Sequence, residues 1–268
     1  MVGVALIATD THMHFYDDRY PAAPEASLRP PNASVEDYAE VQRALDLERV
    51  VVVQPTTYGL DNRCQLEGMA RIGPSARGVV VADSTVEDST LWTYADLGVR
   101  GLRFHMLPGG AIGWEHLEPL AARLRNFGLH VQLQLDGHEL AERQEQLLKL
   151  PCQLVIDHVG RFMGPVEPDS DAFSALLGLV DAGAYVKLSA PYESAQDPTH
   201  EYETVTKCVA ALVDRAPDRM LWASNWPHPG QTSPPSTGDL ARLRDRWLPT
   251  PELREQVLST NPAALYNF

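Results

Sequence analysis

Histidines stand at the ends of two short apolar segments, at spacings that permit chemistry. The first segment closes with His12 and His14, two residues apart, and a later one is followed by Asp157 and His158. Imidazole is the side chain whose reference pKa lies nearest neutrality, and it is also a common metal ligand. The pattern therefore indicates either acid–base catalysis or a metal site.

Other apolar segments also end in polar residues, namely Gln54, Arg103, His105, Gln134, Asp136, Lys187, Ser189, Asn225 and His228. One such residue alone is most often a hydrogen-bonded structural group. Several of them converging on one small region would leave many polar atoms without partners unless a ligand bound there. We therefore predict a binding or catalytic site built from these residues.

The segments that must position them are β-branched or apolar and alternate with stretches of helical periodicity. Eight strands are predicted, at Leu6–His12, Arg49–Gln54, Arg77–Val81, Val99–Phe104, His130–Leu135, Gln153–Asp157, Ala184–Leu188 and Arg219–Ala223. Helix starts are predicted at Ser34 with Asp37, at Asp61 before Cys64–Ile72, at Thr85 with Asp88, and at Asp169 or Ser170 before Ala172–Leu179. Gly98, Gly128 and Gly183 are predicted to end three helices.

This alternation, with no linker in the middle, predicts one domain over residues 1–268 that folds as a distorted (β/α)₈ (TIM) barrel. The C-terminal face of the barrel would then hold the polar strand ends and two proline-rich stretches, Tyr20–Pro31 and Pro227–Gly238. His12 and His14 would point to the same side of their strand at this face. A doubly wound nucleotide-binding sheet would need a glycine-rich turn after the first strand. The sequence there is Asp10-Thr11-His12-Met13-His14, which disfavours that fold.

The composition and net charge of the chain disfavour some classes of binding partner. With 22 Lys+Arg against 36 Asp+Glu, the net charge of −14 disfavours nucleic acid and anionic membranes as partners. No transmembrane or signal segment is recognisable, so we expect a cytoplasmic protein with no membrane partner. Cys64, Cys152 and Cys208 are widely spaced and predicted to be reduced. Nothing in the sequence indicates the oligomeric state.

A metal site is the first hypothesis to weigh. His12, His14 and His158 could supply three ligands to a catalytic zinc. However, strand eight ends in the neutral Asn225 where a carboxylate would be expected, and strand five ends in Gln134 rather than histidine. We therefore predict no metal and no other cofactor.

Arg103 suggests the charge of the substrate. A guanidinium in a barrel mouth is stable opposite a carboxylate or carbonyl oxygen, although a structural salt bridge would satisfy it equally. With Lys187 and Arg63 expected nearby, the mouth would be locally positive in an acidic protein. The predicted partner is a small anionic molecule.

The chain resembles the amidohydrolase-related family (amidohydrolase 2) in five segments: Asp10–His14, Val53–Pro55 with Asp61–Arg63, Arg100–Phe104, Val155–Arg161 and Leu221–Pro229. The resemblance extends to the final Asn261–Tyr266. Within the family it is similar to the branch of D-galactarolactone isomerase and 2-pyrone-4,6-dicarboxylate lactonase. The resemblance implies a distorted barrel that acts on ring esters without a metal.

This chain matches the two members of the branch at different positions. The lactonase is expected to carry a general-base aspartate where this chain has Asn225, and an amide cannot accept a proton at neutral pH. The strand-seven end also lacks the arginine expected to hold that enzyme's second carboxylate. The isomerase is more similar at Leu107–Ala111, Gln134–Gly137, Tyr192–Ser194 and Asn225, although its pattern has glutamine at the position of His12.

The leading hypothesis is a metal-independent enzyme that isomerises a carboxylated, sugar-acid type lactone by intramolecular acyl transfer. The predicted catalytic residues are His12, His14, His158 and Asn225, and the predicted substrate-binding residues are Gln54, Arg63, Arg103, Gln134, Tyr192 and His228. Hydrolysis of the same class of lactone is the alternative. A second alternative is a barrel that binds a sugar acid without turnover.

Overall fold

The computed structural model describes residues 6–195, 197, 199 and 201–268. Eight parallel strands pair in chain order into one sheet. They are β1 Thr9–Met13, β2 Arg49–Val53, β3 Ala76–Val80, β4 Val99–His105, β5 His130–Gln134, β6 Leu154–Ile156, β7 Tyr185–Leu188 and β8 Met220–Trp222. This arrangement confirms the predicted (β/α)₈ barrel.

Helices follow the strands and cover the outside of the barrel. They are α1 Val35–Leu45, α2 Arg63–Ile72, α3 Asp88–Asp96, α4 Leu117–Leu124, α5 Leu140–Leu148, α6 Asp171–Asp181, α7 Glu203–Arg215 and α8 Thr237–Trp247. Two further helices, α9 Pro251–Glu255 and α10 Asn261–Tyr266, end the chain and are joined by a π-helical turn at Gln256–Thr260. Among the described residues, no helix is both long and apolar enough to cross a membrane.

The predicted elements are all present, with shifted bounds. β1 begins at Thr9 rather than Leu6, and Leu6 and Ile7 before it are 38% and 41% exposed instead of buried in the sheet. Ser34 and Ser170 cap α1 and α6 as predicted. α3 begins only at Asp88, because the Thr85 hydroxyl is hydrogen-bonded to Asp83 in the preceding turn.

Inside the barrel, the end nearest the strand N-termini is apolar. A compact cluster fills it, made of Val51, Val53, Val79, Val155, Tyr185, Leu221 and Tyr266. Tyr266 comes from α10, so the C-terminal helix closes the bottom of the barrel. The predicted site residues lie toward the other end, where the strands terminate, whereas His130 at the start of β5 is a buried polar residue that packs against Tyr266.

The seam between β8 and β1 closes beside the polar end. Asn225 N donates to His12 O at 2.9 Å, and His14 N donates to Trp226 O at 2.9 Å. Thr11 Oγ1 also donates to Trp222 O at 2.9 Å. These bonds hold the ends of the first and last strands together. Cys64, Cys152 and Cys208 form no disulfide, in agreement with prediction.

Candidate active site

A cavity of about 340 Å³ opens at the C-terminal ends of the strands. Its polar lining consists of His14, Tyr16, Arg103, His105, Gln134, His158, Arg161, Glu193 and Asn225. Ser27 and Pro229, from the two proline-rich stretches, also line it. The cavity thus lies on the face where (β/α)₈ enzymes place their active sites.

Of the ten predicted site residues, five line this cavity: His14, Arg103, Gln134, His158 and Asn225. Four more lie behind the lining as buried partners: His12, Gln54, Tyr192 and His228. The structure therefore brings nine of the ten predicted residues together around one centre.

Arg63 is the exception, and its predicted position at the mouth is wrong. It is the first residue of α2, its side chain is 69% exposed, and its Nη2 lies 2.6 Å from Asp61 Oδ2. Its guanidinium also lies over the ring of Tyr20, 5.6 Å from the centroid. The sequence places Arg63 soon after a strand, but the helix that starts there carries the side chain away from the cavity.

Arg103 is the buried cation of the cavity wall. Its Nη1 donates to Gln54 O at 2.8 Å and its Nη2 donates to Gln134 Oε1 at 2.6 Å. Its Nε lies 3.8 Å from Asp157 Oδ2 and makes no hydrogen bond among the described residues. The guanidinium is thus held by neutral acceptors and keeps donors for an anionic ligand.

A second guanidinium faces the same space. Arg161 forms an ion pair with Glu193, and both side chains line the cavity. Because Arg161 neutralises Glu193, this carboxylate adds little negative charge to the wall. The local electrostatics therefore favour an anionic ligand in spite of the overall charge.

Asn225 lines the cavity, and only the nitrogen of its side-chain amide is hydrogen-bonded among the described residues. Its Nδ2 donates to Tyr192 Oη at 2.9 Å, and Tyr192 Oη lies 2.9 Å from His228 Nδ1. The amide oxygen Oδ1 is buried and has no partner among the described residues. This oxygen can accept a hydrogen bond from a substrate hydroxyl, but it cannot take up the proton at neutral pH.

The hydrogen bonds of the His-x-His pair assign its tautomers. His14 Nδ1 lies 2.7 Å from Val53 O, and a carbonyl only accepts, so this nitrogen carries the hydrogen. His14 Nε2 lies 3.3 Å from His12 Nε2. Burial and the Arg103 cation lower the pKa of His14 to about 3, so His14 is neutral and its Nε2 accepts from His12. His14 then has no free lone pair for a substrate.

His158 is arranged differently. Its Nδ1 lies 2.8 Å from Ser189 Oγ, and among the described residues no group binds its Nε2. Burial lowers the pKa of His158 well below its usual value, so the ring is neutral in the free protein. An anionic ligand nearby would raise that pKa again, since it favours the imidazolium.

Beneath the lining lies a buried charged layer. Lys187 Nζ donates to Gln132 Oε1 at 2.6 Å and lies 3.3 Å from His12 Nδ1 and 3.6 Å from Asp157 Oδ1. Burial, opposed by Asp157, lowers the pKa of Lys187 to about 8, which leaves it mostly protonated at neutral pH. Burial alone would raise the pKa of Asp157, but Lys187 and Arg103 hold it below its usual range.

The residues that could hold a metal are His12, Asp157 and His158, whose ligand atoms lie within 4.8 Å of one another. Lys187 contacts two of these three side chains. A divalent ion bound there would lie next to a buried ammonium group, without hydration to weaken the repulsion. The donor set therefore does not fit a metal while Lys187 is protonated.

The backbone that carries these side chains is strained at the ends of β6, β7 and β8. Six residues other than glycine have positive φ there: His158 (54°), Val159 (56°), Arg161 (45°), Ala190 (45°), Asn225 (56°) and His228 (63°). Such conformations are uncommon outside glycine and cluster at functional sites. The chain leaves its strands abruptly there, which turns His158 and Asn225 into the cavity.

The sequence analysis did not single out Arg161, Glu193, Tyr16 or Gln132 as site residues. Gln132 precedes Gln134 by two positions on the same strand, so strand alternation was a usable signal for it. Arg161 and Glu193 lie in irregular turns after β6 and β7, for which the sequence holds no comparable signal.

The chain is similar to known proteins over nearly its whole length. Residues 9–268 match the family model described as Amidohydrolase. The chain is 32% identical to D-galactarolactone isomerase of Agrobacterium fabrum, over 97% of this chain and 91% of that protein. It is 30% identical to 2-pyrone-4,6-dicarboxylate hydrolase of Comamonas testosteroni, over 97% and 90%. An apo crystal structure from Agrobacterium tumefaciens superposes with a TM-score of 0.91 at 32% identity, covering 98% of this chain and 96% of the other.

Proposed function

This chain belongs to the amidohydrolase family, and from that premise we propose that it is a metal-independent enzyme that converts a carboxylated, sugar-acid type lactone into its ring isomer. Its relatives are enzymes that act on lactones, which argues against a barrel that binds without turnover.

The observation that carries the proposal is the unpartnered amide oxygen of Asn225, a residue that lines the cavity. Hydrolysis needs a base that removes a proton from water, and the carboxylates of the described site are already paired. Glu193 pairs with Arg161, and Asp157 lies beside Lys187 below the lining. In ring isomerisation the nucleophile is a hydroxyl that the substrate itself brings, which an amide oxygen can orient.

The chemistry can be written with this chain's own groups. Arg103 would bind the substrate carboxylate or polarise the ring carbonyl, and Asn225 Oδ1 would accept from the attacking hydroxyl. As the hydroxyl oxygen bonds to the carbonyl carbon, its single proton leaves the hydrogen bond with Asn225 Oδ1 and passes to His158 Nε2. When the tetrahedral intermediate collapses, the original ring C–O bond breaks and His158 returns the proton to the departing oxygen.

Each proton taken up in this cycle is given back, so no water is consumed and one base suffices. The anionic substrate would raise the low pKa of His158 toward the range that a proton-transfer group needs. His12 and His14 are already committed to each other, so we assign the proton transfer to His158.

Hydrolysis remains the second candidate, and a specific observation favours it. The cavity that His158 lines has room for water, and one relative is named as a dicarboxylate hydrolase. If water reached that nitrogen in place of the second hydroxyl, the same residues would open the ring.

The test is incubation of the enzyme with a panel of aldarolactones and pyrone carboxylates in H₂¹⁸O, followed by NMR and mass spectrometry. We expect a change of ring isomer with no ¹⁸O in the product. Arg215→Met, which removes a surface cation on α7, is the matched control for charge and should behave as wild type. An open-chain acid that carries ¹⁸O would replace the isomerase assignment with hydrolysis.

A further inference from the structure

A buried cation, Lys187, lies beneath the residues that line the cavity. The side chains of His12, Asp157 and His158 form the group of ligand-type residues that a divalent ion could use. All three are buried, and His12 and Asp157 come from nearly opposite strands of the barrel. Such a group of neutral nitrogens and a carboxylate oxygen needs positive charge beside it.

Lys187 already supplies that charge. It is fully buried on β7, and its ammonium nitrogen reaches Gln132 Oε1 at 2.6 Å, His12 Nδ1 at 3.3 Å and Asp157 Oδ1 at 3.6 Å. The ammonium thus donates to Gln132 Oε1, faces His12 Nδ1 within hydrogen-bond distance, and forms an ion pair with Asp157. Gln132 completes the layer by donating from Nε2 to Asp157 Oδ2 at 3.0 Å.

The position of this cation also orients the histidines. Because His14 Nε2 is an acceptor, His12 Nε2 must carry a hydrogen, and His12 Nδ1 is then an acceptor. This nitrogen lies 3.3 Å from the ammonium and also 3.3 Å from Asp157 Oδ1, so the cation offsets the repulsion between two neighbouring acceptors. The order of donation runs from Lys187 to His12, from His12 to His14, and from His14 to the carbonyl of Val53. Every ring nitrogen of the His-x-His pair is occupied.

We propose that Lys187 is a built-in cation that stands in place of a divalent metal, excludes one from the His12–Asp157–His158 group, and fixes the tautomers of His12 and His14. It is a positioning residue, since it lies below the lining and acts on the cavity through His12. The proposal deepens the metal independence of the proposed function. It does not depend on whether the ring migrates or opens.

The first test uses the intact wild-type enzyme with ¹⁵N-labelled histidine. Long-range ¹H–¹⁵N spectra should show His12 and His14 as neutral rings, His12 with hydrogen on Nε2 and His14 with hydrogen on Nδ1. Excess Co²⁺ should leave these signals unchanged. A hydrogen on His12 Nδ1, or stoichiometric Co²⁺ binding that shifts or broadens His12 or His158, would overturn the proposal.

The second test removes the cation with Lys187→Met, which retains most of the side-chain volume. The folded variant should bind Co²⁺ roughly 100-fold more tightly than wild type and show visible d–d absorption, because His12 Nδ1 and Asp157 Oδ1 lose their partner. Lys149→Met, a change at an exposed lysine on the surface, should gain nothing.

Adding Asp157→Asn to Lys187→Met should abolish the gained Co²⁺ binding, since it removes the anionic ligand. A folded Lys187→Met variant that binds Co²⁺ no better than wild type and keeps the wild-type tautomers would refute the proposal. If this variant does not fold, the wild-type spectra and Co²⁺ titration decide the matter by themselves. Neither measurement depends on catalytic turnover. The result of these tests is therefore independent of which reaction the enzyme catalyses.

Discussion

At the scale of single residues, the chemistry of this site is set by the atoms that the fold leaves without partners. Asn225 Oδ1 is buried and has no partner among the described residues, and Arg103, whose Nη atoms donate only to neutral acceptors, lines the same cavity. Leaving a buried acceptor without a partner costs free energy, which is recovered when a ligand pairs with it. The amide oxygen and the guanidinium together indicate the ligand: an anion that carries a hydroxyl.

Arg103→Met tests the anionic part of that description. We expect weaker binding of the substrate by about 2–4 kcal/mol, because its carboxylate would be desolvated opposite a thioether. The measurement is substrate affinity by calorimetry, with circular dichroism to follow the fold. A variant that unfolds, while its folded fraction binds normally, would show that Arg103 is a structural ion-pair residue.

The Asn225→Asp substitution tests whether the enzyme catalyses ring migration or hydrolysis. Asn and Asp both tolerate the left-handed conformation found here, and their side chains are nearly the same size. The new carboxylate can deprotonate water, so we expect ring opening to appear at the expense of isomerisation. NMR of the products is the measurement, with chelator present so that the added carboxylate does not recruit a metal.

A wild-type enzyme that already opens lactones quickly, with Asn225→Asp only slower, would contradict this expectation. It would place the hydrolytic base elsewhere, at His158.

At the scale of elements, helix α2 holds the end of β1 in place. Gln65 accepts from Phe15 N at 2.9 Å and donates to Phe15 O at 2.8 Å, and Phe15 directly follows His14. Gly68, one turn further along α2, lies under the Phe15 ring, where an added Cβ would fall 2.2 Å from Phe15 Cδ2. The helix therefore sets the position of His14 through a contact that only glycine permits.

Gly68→Ala should consequently destabilise the protein by about 1–3 kcal/mol through overpacking, although alanine is the better helix former. Activity should fall with it, since Phe15 and His14 move together. Gly178→Ala in α6 is the matched control, because its Cβ would meet only the flexible end of Gln144. Urea unfolding measures both variants, and equal stabilities would disprove the argument.

The strands and helices were largely predictable from the sequence, whereas the turns that complete the site were not. Strand positions follow from alternation of apolar residues, and Ser34 and Ser170 mark helix starts by local hydrogen bonding that sequence alone indicates. Arg63 was placed wrongly because sequence distance from a strand does not say where a helix turns its first side chain. The inward turn at Val159 and Ala190 depends on left-handed backbone at residues that normally avoid it.

At the scale of the whole molecule, an acidic chain encloses a layer of buried bases. His14, His105 and His130 each have a pKa lowered to about 3, with burial as the largest cause. In the unfolded chain their reference value is about 6.5. Between these two values the unfolded state binds protons that the folded state does not, so stability falls as pH drops below about 6.5.

His130 allows this to be measured away from the cavity, because it packs against Tyr266 at the bottom of the barrel. Between about pH 7.5 and about pH 5, it should cost roughly 2 kcal/mol of folding stability. His130→Gln should reduce the pH dependence of urea unfolding by that amount, whatever its effect at neutral pH. The same change at the surface residue His138 controls for general effects, and an unaltered slope in His130→Gln would contradict the prediction.

The seam between β8 and β1 determines at what stage of folding the active site can form. His12 and Asn225 are 213 positions apart in the chain, yet Asn225 N donates to His12 O and helps to close the barrel beside the cavity. Contacts this distant in sequence form late, because a long loop must be closed before they contribute. A ribosome that has not yet released the last strand therefore carries a chain without an active site. During refolding, turnover should return only with the final closure of the barrel, after most helical signal has recovered.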